Sequence, residues 1–245
     1  TFNCNATRAA EILSFMGDEY GKSIKDDVCF HFEIAADILT DELFEVISRL
    51  PVGAVQFEVG IQSFNEETLR KINRKTNVNL VESNVKKLIS YGNCHIHIDL
   101  IAGLPLEGYN SFTEGFNRAY SIGANMLQLG FLKILYGSPM YEERDDYPCV
   151  YSDKPPYEVE STPWISEKEL HKLRICENEL ERLYNSGRFS RTLEYVIRFM
   201  LPYELFLGFG EYLRLRGEDA SIPLDKYVCI AYEYFSAIRG VDKMR

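Results

Sequence analysis

Apolar and polar residues alternate along four stretches of this chain, and between those stretches the apolar spacing lengthens to three and four. Val28, Phe30, Phe32 and Ile34 oppose Cys29, His31 and Glu33. Val55, Phe57, Val59 and Ile61 oppose Gln56, Glu58, Gly60 and Gln62. Ile96, Ile98 and Leu100 oppose His95, His97 and Asp99, and Leu127, Leu129 and Phe131 oppose Gln128 and Gly130. A period of two places alternate side chains on opposite faces of a strand. Strands are therefore predicted over 28–37, 54–64, 94–104 and 125–135. Helical spacing covers 5–20, 40–50, 65–73, 79–91 and a segment from Ser111 to about Gly123. Asn5 and Thr40 suit N-caps, with Asp41 and Glu42 in the first turn after Thr40. Asn79 with Glu82, and Ser111 with Glu114, have the spacing of capping boxes. Gly92 is a helix stop.

Strands alternating with helices predict an α/β fold with a parallel sheet. Parallel strands buried on both faces normally read as unbroken apolar runs. Each strand here has one apolar and one polar face. Helices would cover the apolar face. Buried polar groups are costly unless partnered, so the polar face needs an occupant. A partial (β/α) TIM-type barrel with a polar ligand in its lumen meets that need. Sites in such barrels gather at the C-terminal strand ends, where Glu33, Gln62, Asp99 and Gly103 fall.

The domain reading is a half-barrel over 1–150, an extended arm rich in proline and aromatic residues over 151–165, and a helical region over 166–245. Ser166 and Glu169 form a third capping box, opening a helix to about Tyr184. Further helices are expected over 189–200, 203–215 and 223–239, with their Tyr and Phe residues forming a helical core.

Composition narrows the function classes. With 245 residues and 46% apolar content, a substantial core is available. A net charge of −10 opposes nonspecific nucleic-acid binding. No apolar run has membrane-spanning length, and no signal peptide is visible. The six cysteines at 4, 29, 94, 149, 176 and 229 are scattered, which points to free thiols filling the core of a cytoplasmic protein. The chain opens on "TFNCNATRAA" without Met, and reads as a piece of a longer protein.

Two segments stop being generic. "FEVGIQSFNEETLRKINRKT" followed by "HIDLIAGLPLEGYNSF" resembles the radical SAM superfamily, in particular enzymes like the oxygen-independent coproporphyrinogen oxidases and the cobalamin-binding members. The matching positions are Gly60, Gln62 and Ser63, then Arg74, then Asp99, Leu100, Ile101, Gly103, Leu104 and Pro105. "LGFLKILYGSPMYEE" is similar to the sixth strand of that barrel, and the C-terminal part resembles the domain placed after it in cobalamin-binding members. The resemblance implies S-adenosylmethionine (SAM) and a 4Fe-4S cluster that reduces it to a deoxyadenosyl radical. By the same carry-over, Asp99 would bond the ribose hydroxyls and Arg74 would pair with the methionine carboxylate. Gln62 and Glu33 would hydrogen-bond the methionine or ribose, and Glu58 lines the lumen one step deeper. Gly103 lets backbone approach the nucleoside.

The cluster motif C-x3-C-x2-C is absent from the chain, and so is the cobalamin motif D-x-H-x-x-G. The chain alone is therefore expected to be inactive, with no metal ligands of its own. SAM and a substrate of unknown class are its expected partners. Two other readings stand beside this one. A hydrolase or lyase could use Glu33, Glu58 and Asp99 as acid–base groups, or a half-barrel with a helical cap could serve as a noncatalytic interaction module. His31, His95 and His97 read as packing or hydrogen-bonding groups of the lower lumen.

Overall fold

A computed structural model describes residues 1–218, 221–238, 240 and 241. The chain divides into two compact units, one of residues 1–106 with 118–130, the other of residues 107–117 with 131–245.

The elements run α1 (Ala6–Glu19), β1 (Phe30–Glu33), α2 (Asp41–Ser48), β2 (Val55–Gln62), α3 (Glu66–Lys71), α4 (Val78–Tyr91), β3 (His95–Ala102), α5 (Tyr109–Ile122) and β4 (Met126–Phe131). The four strands form one sheet in the order β1-β2-β3-β4. β2 pairs in parallel with β1 and with β3. Its register sets Glu33 opposite Glu58, Glu58 opposite His97, and Gly60 opposite Asp99. Residues of like parity therefore stand side by side, and the polar positions merge into one continuous face. On the other face Val55, Phe57, Ile61, Ile96 and Ile98 are wholly buried, with Leu13, Leu43, Val85 and Leu88 of α1, α2 and α4 equally buried. Full burial of each such side chain contributes about 1.5–3 kcal/mol. That asymmetry fixes which face can be spared for a ligand.

Asn5 and Thr40 cap α1 and α2 by accepting from the Arg8 and Leu43 amides. Gly92, at φ 68°, closes α4. Three expectations are corrected. α4 is capped by Asn77, which accepts from the Leu80 amide, and not by an Asn79–Glu82 box. Arg118 takes both groups of that box: its Nη2 donates to Asn79 at 2.5 Å and its Nε to Glu82 at 2.8 Å. α5 starts at Tyr109, so Ser111 and Glu114 lie inside the helix. β1 is shorter than 28–37 because Asn3 exchanges two 2.9 Å hydrogen bonds with the Ala35 backbone, which withdraws Ala35 from the ladder.

Asn93 closes the end of α2, its Nδ2 donating to the Ile47 and Leu50 carbonyls at 2.7 and 3.0 Å. Asn93→Ala leaves the Leu50 carbonyl without its donor, while the Ile47 carbonyl keeps the Leu50 amide at 3.1 Å. We expect a loss of about 1–3 kcal/mol, read from urea denaturation.

The second unit carries α6 (Pro139–Glu142), the antiparallel pair β5 (Val150–Tyr151) and β6 (Val159–Ser161), α7 (Glu167–Glu179), α8 (Ser190–Val196), α9 (Pro202–Leu215) and α10 (Leu224–Ser236). The Ser166–Glu169 capping box is formed as expected. α7 continues into a π-helical turn over Leu180–Asn185. Phe209 of α9 meets Tyr227, Tyr234 and Phe235 of α10 in an aromatic core. All six cysteines are free, but only Cys94 and Cys176 are buried. Cys4, Cys29 and Cys229 are exposed, so the expectation that the cysteines fill the core holds for two positions. No described helix is long and apolar enough to cross a membrane.

Candidate functional site

The polar face of the sheet is organised around Glu58. From β1, His31 Nε2 lies 2.9 Å from Glu58 Oε2. From β3, the Asp99 carboxyl lies beside Glu58. Burial pushes the Asp99 carboxyl up to about 7, and the neighbouring charges of Glu58 and Glu33 add to the rise. The Arg74 guanidinium pulls the other way. Below this pair, burial holds the His95 and His97 imidazoles under their usual range, and the His95 and His31 charges add to the effect at His97. A long 3.4 Å contact joins Gln56 Nε2 to His97 Nδ1. The His95 ring meets the His97 ring edge-on at 4.8 Å. Among the described residues no three His, Cys, Asp or Glu side chains form a metal-holding group.

The strand end is shaped by a register shift in β2 between Gly60 and Gln62. Gln62 adopts φ 70°, a left-handed backbone conformation that non-glycine residues seldom occupy. The irregularity turns its side chain back over Gly60, where a Cβ would stand 2.2 Å from Gln62 Nε2 and 3.4 Å from Arg74 Nη2. Arg74 Nη2 donates to the Gly60 carbonyl at 2.6 Å. A Cβ at 60 would displace the Gln62 amide, and Gln62, Gly60 and Arg74 form one cradle. Gly103 turns the chain after β3 at φ 87°. Thr68 Oγ1 of α3 donates to the Pro105 carbonyl at 2.9 Å and fixes that turn.

The structure therefore groups Glu58, Asp99, Gln62 and Arg74, with Glu33 coupled to Asp99 through space and Gly103 in the turn beyond it. Two buried acceptors on this face have no hydrogen-bond partner, Asp99 Oδ1 and Gln62 Oε1. Leaving such an atom unsatisfied costs about 1–3 kcal/mol. Both lie on adjacent strands, Gln62 at the end of β2 and Asp99 in β3. Sequence reasoning did not find the His31–Glu58 contact or the left-handed Gln62. The Gly-x-Gln spacing was the one available signal for the latter.

Comparison with known proteins bears on the fold. Coproporphyrinogen III oxidase (HemN) from Escherichia coli, a radical SAM enzyme, superposes with a TM-score of 0.50 at 16% identity over 70% of this chain and 36% of its own. The two chains share a fold over that span. The sequence resemblance agrees: the chain is similar to anaerobilin synthase of Escherichia coli O157:H7, 26% identical over 107 residues, or 44% of this chain and 24% of that protein. A family model described as "Protein of unknown function (DUF4080)" matches residues 145–238. The radical SAM methyltransferase TsrM from Kitasatospora setae, solved with cobalamin and a 4Fe-4S cluster, overlaps with a TM-score of 0.45 at 12% identity, over 53% of this chain and 26% of its own. The matched regions span between about a quarter and a third of the length of the first two relatives.

Proposed function

We propose that this chain supplies the SAM-binding half of a radical SAM enzyme. The observation that carries the proposal is the pair of buried, unpartnered acceptors, Asp99 Oδ1 and Gln62 Oε1, on neighbouring strands of a fold shared with a radical SAM enzyme. SAM presents two ribose hydroxyls and an ammonium group as donors, and a carboxylate as acceptor. Asp99 accepts from the ribose hydroxyls, Gln62 from the ammonium or a hydroxyl, and Arg74 gives its guanidinium fork to the carboxylate. Glu33 and Glu58 add negative charge that suits the sulfonium. Bound SAM supplies a radical once reduced. The described residues offer no thiolate set for the 4Fe-4S cluster that reduces it, so the donors present fit SAM and do not fit the cluster. The chain alone is accordingly inactive in this reading. The resemblance of its C-terminal part to cobalamin-binding members extends the proposal to cobalamin in the whole protein. The six free thiols agree with a cytoplasmic setting.

Equilibrium dialysis of SAM against the whole protein with its cluster reconstituted tests the reading. Saturable binding that is lost when Gln62 is replaced by Ala supports it. Equal binding by the two proteins would sink it. Gly60→Ala gives an independent check. Its Cβ displaces the flexible Gln62 side chain and not the backbone, so stability should change by less than about 1 kcal/mol. SAM affinity should fall by about tenfold or more, since one ligand-facing hydrogen bond is worth roughly that much.

A further inference from the structure

The face of α7 that looks toward α9 carries an arrangement the SAM site does not use. His171, Arg174, Ile175, Asn178, Glu179 and Arg182 recur at helical spacing and line one wall of a pocket of about 320 Å3. Gly210, Leu213 and Arg214 of α9 and Glu218 beyond it line the other. The helices touch at Gly210, where a Cβ would stand 2.4 Å from Ile175 Cγ2. The volume lies at the lower end of the range for small-molecule sites. The π-helical turn after α7 contains Arg182, and such turns gather at functional sites.

The charges of the pocket are settled one by one. Arg174 is committed to Glu158 at 2.5 Å and to the Phe131 ring. Glu218 is committed to Lys226 at 2.5 Å. Glu179 is a 4% exposed carboxyl on the pocket floor that accepts from Tyr227 Oη at 2.5 Å and lies 3.5 Å from Arg182. Burial raises its proton affinity, while Tyr227 and Arg182 lower it. Arg214 bonds the His171 ring at Nε2. That nitrogen can accept only when the imidazole is neutral, so the bond cancels none of the arginine's charge. Among the described residues Arg214 makes no ion pair with a carboxylate, and Glu218 on the same wall is paired with Lys226. A chain of net charge −10 thus keeps a locally cationic pocket anchored on a buried, hydrogen-bonded carboxylate, an arrangement that packing alone does not require.

We propose that the α7–α9 pocket binds a small anion bearing a carboxylate or phosphate group, with Arg214 as the principal contact and Arg182, held by Glu179 and Tyr227, as the second. The pocket lies within the span matched by the family of unknown function, and the proposal stands apart from the SAM reading.

Amide-resolved NMR titration of the chain with succinate and with inorganic phosphate tests it, with neutral succinamide as control. Saturable shifts confined to α7, the π-helical turn after it and α9, absent with succinamide and weakened about tenfold in Arg214→Gln, would establish the site. The stronger of the two anions identifies the headgroup. Arg214 is exposed, so this variant should melt as the parent does. Arg214→Lys, which keeps charge and loses the fork, should fall between the two. Absence of saturable shifts with both anions would overturn the proposal, as would undiminished binding in Arg214→Gln.

Discussion

Asp99→Asn should weaken SAM binding by about a hundredfold or more while making the protein more stable. The two effects have one origin. The Asp99 carboxyl sits at about 7 because burial and the Glu58 carboxyl resist its ionisation. Its ordinary value is 3.8, so between roughly pH 4 and pH 7 the folded chain binds more protons here than the unfolded chain does. Stability contributed by this group is therefore lost as pH rises through that window. The full shift corresponds to about 4 kcal/mol at 1.36 kcal/mol per unit. Partial exposure and the coupling to Glu58 reduce the expected penalty to about 1–2 kcal/mol above pH 7. Asparagine carries no charge and can donate to Glu58. Asp99→Asn should melt with the parent at pH 4 and above it at pH 8. A variant that loses stability equally at both pH values would show that Asp99 is a structural group. Because ribose hydroxyls favour the ionised acceptor, SAM affinity in the parent should rise between pH 6 and pH 8 and release a proton, measurable by calorimetry in buffers of different ionisation enthalpy.

Phe209→Ala should be the most damaging single truncation in the helical region. Its ring is fully buried and lies 5.3–5.5 Å from the rings of Tyr227, Tyr234 and Phe235. Truncation removes a phenyl ring from between two helices. A loss of about 3–5 kcal/mol is expected, which lowers the melting temperature by roughly 6–20 °C. Scanning calorimetry resolves it, and a drop of only a degree or two would mean the aromatic layer collapses around the gap. Tyr227 also donates to Glu179, so the same variant should weaken anion binding in the α7–α9 pocket.

Much of this molecule was legible in the residues. The alternation of Val55–Gln62 and His95–Ala102 placed two strands within a residue or two of their observed ends, because burial against helices strictly enforces parity. The caps at Asn5, Thr40 and Ser166 were legible because each acts on an amide three residues away. Asn79 with Glu82 misled for the complementary reason. A residue 39 positions away, Arg118, claimed the Asn79 group, and no local pattern reports such a competitor. The polar face, and Asp99 within it, could be read from periodicity together with the DLIxGLP resemblance.

The sequence by itself determined the sheet's two-sided character, the order of helices and strands, and which side chains face the lumen, since all of these arise from local spacing and the cost of exposing apolar surface. Only the tertiary structure decided the chemistry between those side chains. The raised proton affinity of Asp99 beside Glu58 depends on register across strands. The cradle of Gln62 over Gly60 depends on a bulge that alternation does not encode. The cationic pocket depends on two helices approaching at Gly210. Each requires groups remote in the chain to meet within a few ångströms, a distance at which electrostatics and hydrogen bonding become strong.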